Sequence, residues 1–155
     1  MDFVVSKVAM SICALLVAAV LGNIYGDGAF RDVRGELAGV AMDLIAVASA
    51  PLDARTECTA SWEVPYLSAG ERVSVVVSAE FIRVFTSSVV VMIATPFAMH
   101  TWSWDGSPLN DSLVAELDGR APKTTASSRG TITIAAMEIT MGNETELMVF
   151  AHPEG

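Results

Sequence analysis

Few side chains in this 155-residue chain have the chemistry for catalysis or metal binding. His100 stands in MHTWSW and His152 in the C-terminal AHPEG. A metal centre would need both to meet a carboxylate, and neither an HxH nor an HExxH spacing is present. No G-x-S-x-G elbow, phosphate-binding glycine loop or dinucleotide fingerprint occurs. Cys13 falls inside an apolar run and Cys58 well after it, at different depths. Cys13 therefore reads as a small hydrophobe and Cys58 as a buried thiol, not as a disulfide pair. The carboxylates are scattered singly, as on a solvated face. Trp102 and Trp104 fall on one side of an expected strand over 97–104, where they read as a core or subunit-interface pair. No nucleophile, base and orienting group can be assembled from these residues. The chain is expected to be non-enzymatic, with no cofactor, no metal and no small-molecule substrate.

Two short motifs carry more information. Asn110-Asp111-Ser112 and Asn143-Glu144-Thr145 match the N-glycosylation acceptor pattern, and each falls in an expected turn. Glutamine in place of both asparagines is expected to change stability by no more than about 0.5 kcal/mol, as at ordinary surface positions. Both motifs place the later part of the chain outside the cell. The formal charge of -9 agrees, because nucleic acid and anionic lipid headgroups need basic surfaces to bind.

The elements that would carry such a surface divide near Pro51. From Val8 to Leu21 the chain reads VAMSICALLVAAVL, without charge or proline. Extended through Tyr25, this run is long enough at helical rise to cross about 30 Å of hydrocarbon. Val8, Ile12, Leu15, Leu16 and Val20 are its candidate packing residues. After a weak joint at 26–28, Phe30, Val33, Leu37, Val40, Leu44 and Val47 recur every three or four residues. Arg31, Asp32, Arg34, Glu36 and Asp43 take other faces, so this second half is amphipathic and not a span. Gly22 with Gly26, and Gly35 with Gly39, form two small-xxx-small pairs that allow helix backbones to approach closely. Proline at 51 is expected to end the rod at Ala50.

Beyond it the pattern is β. Strands are expected over 58–64, 72–85, 88–95 (buried), 97–104, 129–140 and 145–151, with a hairpin turn at 141–144. The stretch 112–117 is either a strand or a helical turn, and the polar stretch 119–128 reads as an exposed loop. The expectation is an α+β chain: a long N-terminal helix, apolar then amphipathic, over 1–50, and an extracellular antiparallel β-sandwich or partly closed barrel over 51–155.

This plan, and above all SKVAMSICALLVAAVLGNIYGDGAF from Ser6 to Phe30, resembles an archaeal type IV pilin-like or archaellin-like subunit. The resemblance implies N-terminal helices packed in a filament core, β domains outside, and partners that are copies of the chain or related pilins. A prepilin peptidase ordinarily trims a basic leader in that family; here only Lys7, before Val8-Ala9, stands in the basic position. The alternative is a single-pass membrane protein whose external β domain binds a partner without polymerising.

Overall fold

A computed structural model describes Gly28 and residues 30–154 of the chain. Val8, Ile12, Leu15, Leu16, Val20, Gly22 and Gly26 lie outside the described residues. Of the expected joint at 26–28 only Gly28 is described, and it is helical.

Helix α1 spans Phe30–Ala54. It is rich in alanine and leucine, the strongest helix formers. Its buried hydrophobic positions before Pro51 are Leu37, Ala41, Leu44, Ile45 and Ala48, a single stripe at helical spacing. Leu37 and Leu44 are wholly buried, each worth about 1.5–3 kcal/mol of removed apolar surface. Val33, Val40 and Val47 pack on the margin of this core. Phe30 lies seven residues before Leu37, on the same side, yet is 56% exposed, so the β strands do not reach it. By length and composition α1 is apolar enough to cross a membrane. Its apolar stripe is nevertheless taken up by the core of the β region.

The helix does not stop at Ala50. It runs through Pro51 to Ala54, where Arg55 turns left-handed at φ 50. The Thr56 N–H then donates to Pro51 O at 3.1 Å and the Arg55 N–H to Leu52 O at 3.3 Å. This is a Schellman closure with arginine where glycine is usual. Proline in the last turn forfeits one intrahelical bond, and its ring is buried.

Eight strands follow: β1 Cys58–Glu63, β2 Ser74–Val77, β3 Phe81–Phe85, β4 Val90–Ala94, β5 Met99–His100, β6 Thr124–Ser127, β7 Thr131–Met141 and β8 Glu144–Pro153. A second helix, α2, covers Asp111–Arg120. The strands form two four-stranded sheets, β1-β7-β8-β5 and β4-β3-β2-β6. All pairings are antiparallel except β5 with β8. Neither sheet closes into a barrel. Alternation along β2, β3 and β7 sends Val75, Val77, Ile82, Val84, Ile132 and Ile134 into one apolar cluster with the α1 stripe. The long β7–β8 hairpin turns at Gly142-Asn143, with Gly142 at φ 65 and Met141 opposite Glu144. Positive φ at the first central position alone is the type II′ requirement, which glycine meets without strain.

Several elements differ from expectation, each for a local reason. The segment 72–85 is a hairpin and not one strand. Ser78 reverses it, its N–H and hydroxyl both donating to Phe81 O at 3.0 Å. No glycine or proline marks that turn. Stretch 88–95 is an edge strand, with Val90 and Met92 exposed rather than buried. Only Met99–His100 of 97–104 pairs as strand. The polar stretch 119–128 contains β6, with Thr124, Ala126 and Ser128 buried. Its hydroxyls are satisfied internally: Thr124 donates to Ala151 O at 2.6 Å, and Ser128 donates to Pro65 O while accepting from the Val73 N–H, both at 2.8 Å. At those buried positions polarity reflects hydrogen bonding, while Gly119, Arg120, Pro122, Lys123 and Thr125 of the stretch are exposed as expected. Gly130 follows because a Cβ would come within 2.8 Å of Ser127 O.

Candidate functional site

The face of α1 turned away from its core carries Gly35, Gly39, Met42, Ala46 and Ala50, all exposed. They recur at intervals of four, three, four and four, one stripe opposite Leu37 and Leu44. None is charged. A Cβ added at Gly35 or Gly39 would meet nothing within 4 Å. Each glycine costs the helix about 1 kcal/mol relative to alanine, and no contact among the described residues requires either one. Met42 is 54% exposed beside them. The expected stripe residues Phe30, Val33, Leu37, Val40 and Leu44 thus divide: the last four serve the core and Phe30 projects.

Two polar contacts fix this face relative to the β region. The Trp62 Nε1–H donates to Asp43 Oδ2 at 2.8 Å, tying β1 to the flank of the stripe. The Ser68 hydroxyl and N–H both donate to Glu36, the N–H at 2.8 Å. The Ser68 hydroxyl, and then its backbone N–H, hold the Glu36 carboxyl below the usual carboxylate range.

A second constellation was not visible in the sequence. His100 is buried, and its Nδ1 lies 2.8 Å from Asp118 Oδ1. The same oxygen accepts the Trp102 Nε1–H at 2.8 Å. The rings of Trp102 and Phe150 flank the imidazole at 5.4 Å each. Asp118 comes from α2, whose Leu113, Val114 and Leu117 pack over Trp102, Leu109 and Phe150. His100–Asp118 has the orienting geometry of a catalytic pair. Among the described residues, however, no hydroxyl or thiol is bonded to His100, and no group of three or more His, Cys, Asp and Glu is placed to hold a metal. The arrangement fastens α2 to the first sheet. Helical spacing of Leu113, Val114 and Leu117 after Asn110 was the available signal.

No family model, characterised protein or solved structure matches this chain.

The remaining candidates separate cleanly. Asn143 sits exposed at the β7–β8 tip. Asn110 is also exposed, but its Oδ1 accepts the Leu113 N–H at 2.9 Å as the N-cap of α2. It is therefore not an ordinary surface position. Glycosylation uses the amide nitrogen, so the cap and a glycan are compatible. Trp102 belongs to the core around Phe150, with Trp104 on its margin donating to Ser107 O at 2.9 Å. Cys58, expected to be buried, is an exposed free thiol at the start of β1.

Proposed function

We propose that the chain is a structural, non-enzymatic subunit of an archaeal cell-surface filament or type IV pilus-like assembly. The N-terminal helix holds the subunit in the membrane before assembly and packs in the filament core afterwards. The two sheets act as the halves of a sandwich displayed outside the cell. Copies of the chain, or related pilin-like subunits, are its partners.

One observation carries this reading: the open, uncharged stripe of Gly35, Gly39, Met42 and Ala46. Small residues on an exposed helix face permit backbone approach by another helix. The opposite stripe is occupied by the β core, so a neighbour has one face of α1 available. The apolar run from Val8 to Leu21 supports the same reading, because a helix apolar all round moves from lipid into a bundle of like helices with little change of surroundings.

The direct test is the size of the full-length chain extracted in mild detergent, by light scattering and electron microscopy. Particles of many copies are expected. Monomers alone contradict the proposal and favour a membrane anchor carrying a binding domain.

A further inference from the structure

The filament reading supplies a contact between stems; the β region carries the materials for a second one. Alternation in the second sheet leaves Phe81, Arg83, Phe85, Val90 and Met92 on the side away from the core, with Val76 on the same side but itself buried. Val90 and Met92 are 58% and 59% exposed, and β4 is an edge strand. Cations are set into this apolar surface. The Arg83 guanidinium lies 5.1 Å from the centre of the Phe85 ring, and the Lys123 ammonium 5.0 Å from that of Phe81. Arg72 lines an adjoining groove of about 400 Å³ with Ser74, Phe85 and Ser127. Among the described residues none of these three cations forms an ion pair, whereas Arg120 is paired with Glu116 at 2.9 Å. Glu71 and Glu80 border the surface at its turns.

The complementary surface is on the other sheet. The β7–β8 hairpin presents Glu144 and Glu146 on one face, both exposed and neither ion-paired among the described residues. They stand opposite Met141 and Ile139; Glu138, opposite Leu147, is on the other face, and Arg55 lines a cavity with Glu138 and Glu146. Glu57 lies beside Glu138, its Oε1 accepting the Glu138 N–H at 2.7 Å. In a chain of net charge -9, copies repel unless their few cations face carboxylates.

We propose that the outer face of the β4-β3-β2-β6 sheet receives the acidic β7–β8 hairpin of a second copy of this chain. This inference rests on the filament reading and extends it to the β region. The two surfaces are different, so the contact is heterologous. Such a contact continues from copy to copy and is not closed by a two-fold axis. Arg83 and Lys123, steadied over aromatic rings, meet the glutamates, while Val90 and Met92 lose their exposure to water.

Lysine chemistry reads this contact directly, because Lys7 and Lys123 are the only lysines in the chain. Full-length chains of two nitrogen isotopes are co-assembled, treated with a carbodiimide that joins amines to carboxylates without a spacer, and digested for mass spectrometry. Mixed-isotope links from Lys123 to Glu144 or Glu146 are expected. Arg83→Glu with Lys123→Glu should lower the assembled fraction about tenfold, as should Glu144→Lys with Glu146→Lys, and combining the two should restore it. Links from Lys123 across copies to other acidic residues overturn the proposal. So does assembly that is indifferent to both reversals, or links confined to one isotope, which would leave the face to β4 pairing or another protein. If assembly ignores charge reversal but is lost with Gly35→Leu and Gly39→Leu, only this contact falls. Monomers of the unmutated chain remove the filament reading and this contact together.

Discussion

Replacing Asp118 with alanine isolates what the buried His100–Asp118–Trp102 network contributes. One carboxylate oxygen accepts from both rings at 2.8 Å. Its loss strands two donors of unequal adaptability. The imidazole can move its proton to the other nitrogen, whereas the indole N–H cannot be removed. Trp102 is only 8% exposed, so water reaches its N–H poorly. A buried donor left without a partner costs about 1–3 kcal/mol. The Asp118 side chain is itself 19% exposed, which admits some water and places the expectation at about 1–2 kcal/mol. Urea unfolding of the full chain in mild detergent, followed by circular dichroism, measures it. A cycle with Trp102→Phe sharpens the result, because phenylalanine has no N–H to strand. The Asp118→Ala cost should be smaller in the Trp102→Phe background by about 1 kcal/mol, as for contacting residues. Additivity of the two changes within about 0.3–0.5 kcal/mol refutes the argument, since it would mean that the indole bond contributes nothing.

Two further outcomes follow from local geometry. Asn110→Ala should destabilise the chain by about 0.5–2 kcal/mol through loss of the α2 cap, while Asn143→Ala should stay within about 0.5 kcal/mol; equal effects in urea titration would contradict the assignment of Asn110 as a cap. Ser68→Ala should move the Glu36 carboxyl titration up toward its ordinary value of 4.5, read by NMR. Because the folded value lies below the unfolded one, the stabilisation from Glu36 is full above the unfolded value and lost as pH falls through the folded value, so Ser68→Ala should weaken that acid dependence; an unchanged titration would contradict it.

Periodicity made the regular elements legible. The three-and-four spacing of Leu37 and Leu44 gave α1, and strict alternation from Ile132 to Ala136 gave β7 with its hairpin. What remained hidden depends on contacts across the chain. Thr124 and Ser128 look like loop residues until Ala151 and Pro65 supply their hydrogen-bond partners. The Ser78 turn lacks glycine and proline, so the alternation of 72–85 ran straight through it. Pro51 reads as a stop, yet it sits in the last turn, where the Schellman closure at Arg55 satisfies its carbonyl. Asp118 could not be tied to His100 and Trp102, because the pairing spans 18 and 16 residues and depends on α2 being a helix. The glycine pair at 35 and 39 was visible; that the space beside it is open was not.

The account depends most on that open stripe, and substituting Gly35→Leu with Gly39→Leu tests it. Leucine is the better helix former by about 1 kcal/mol at each position, and nothing within 4 Å opposes a Cβ at either. The helix and the β region should therefore fold at least as well as before. The double variant is predicted to remain in the membrane fraction, with unchanged circular dichroism, while particles of many copies disappear from electron micrographs. Particles of the unmutated size, formed by that same folded variant, would contradict the claim that the outward face of α1 joins one subunit to the next.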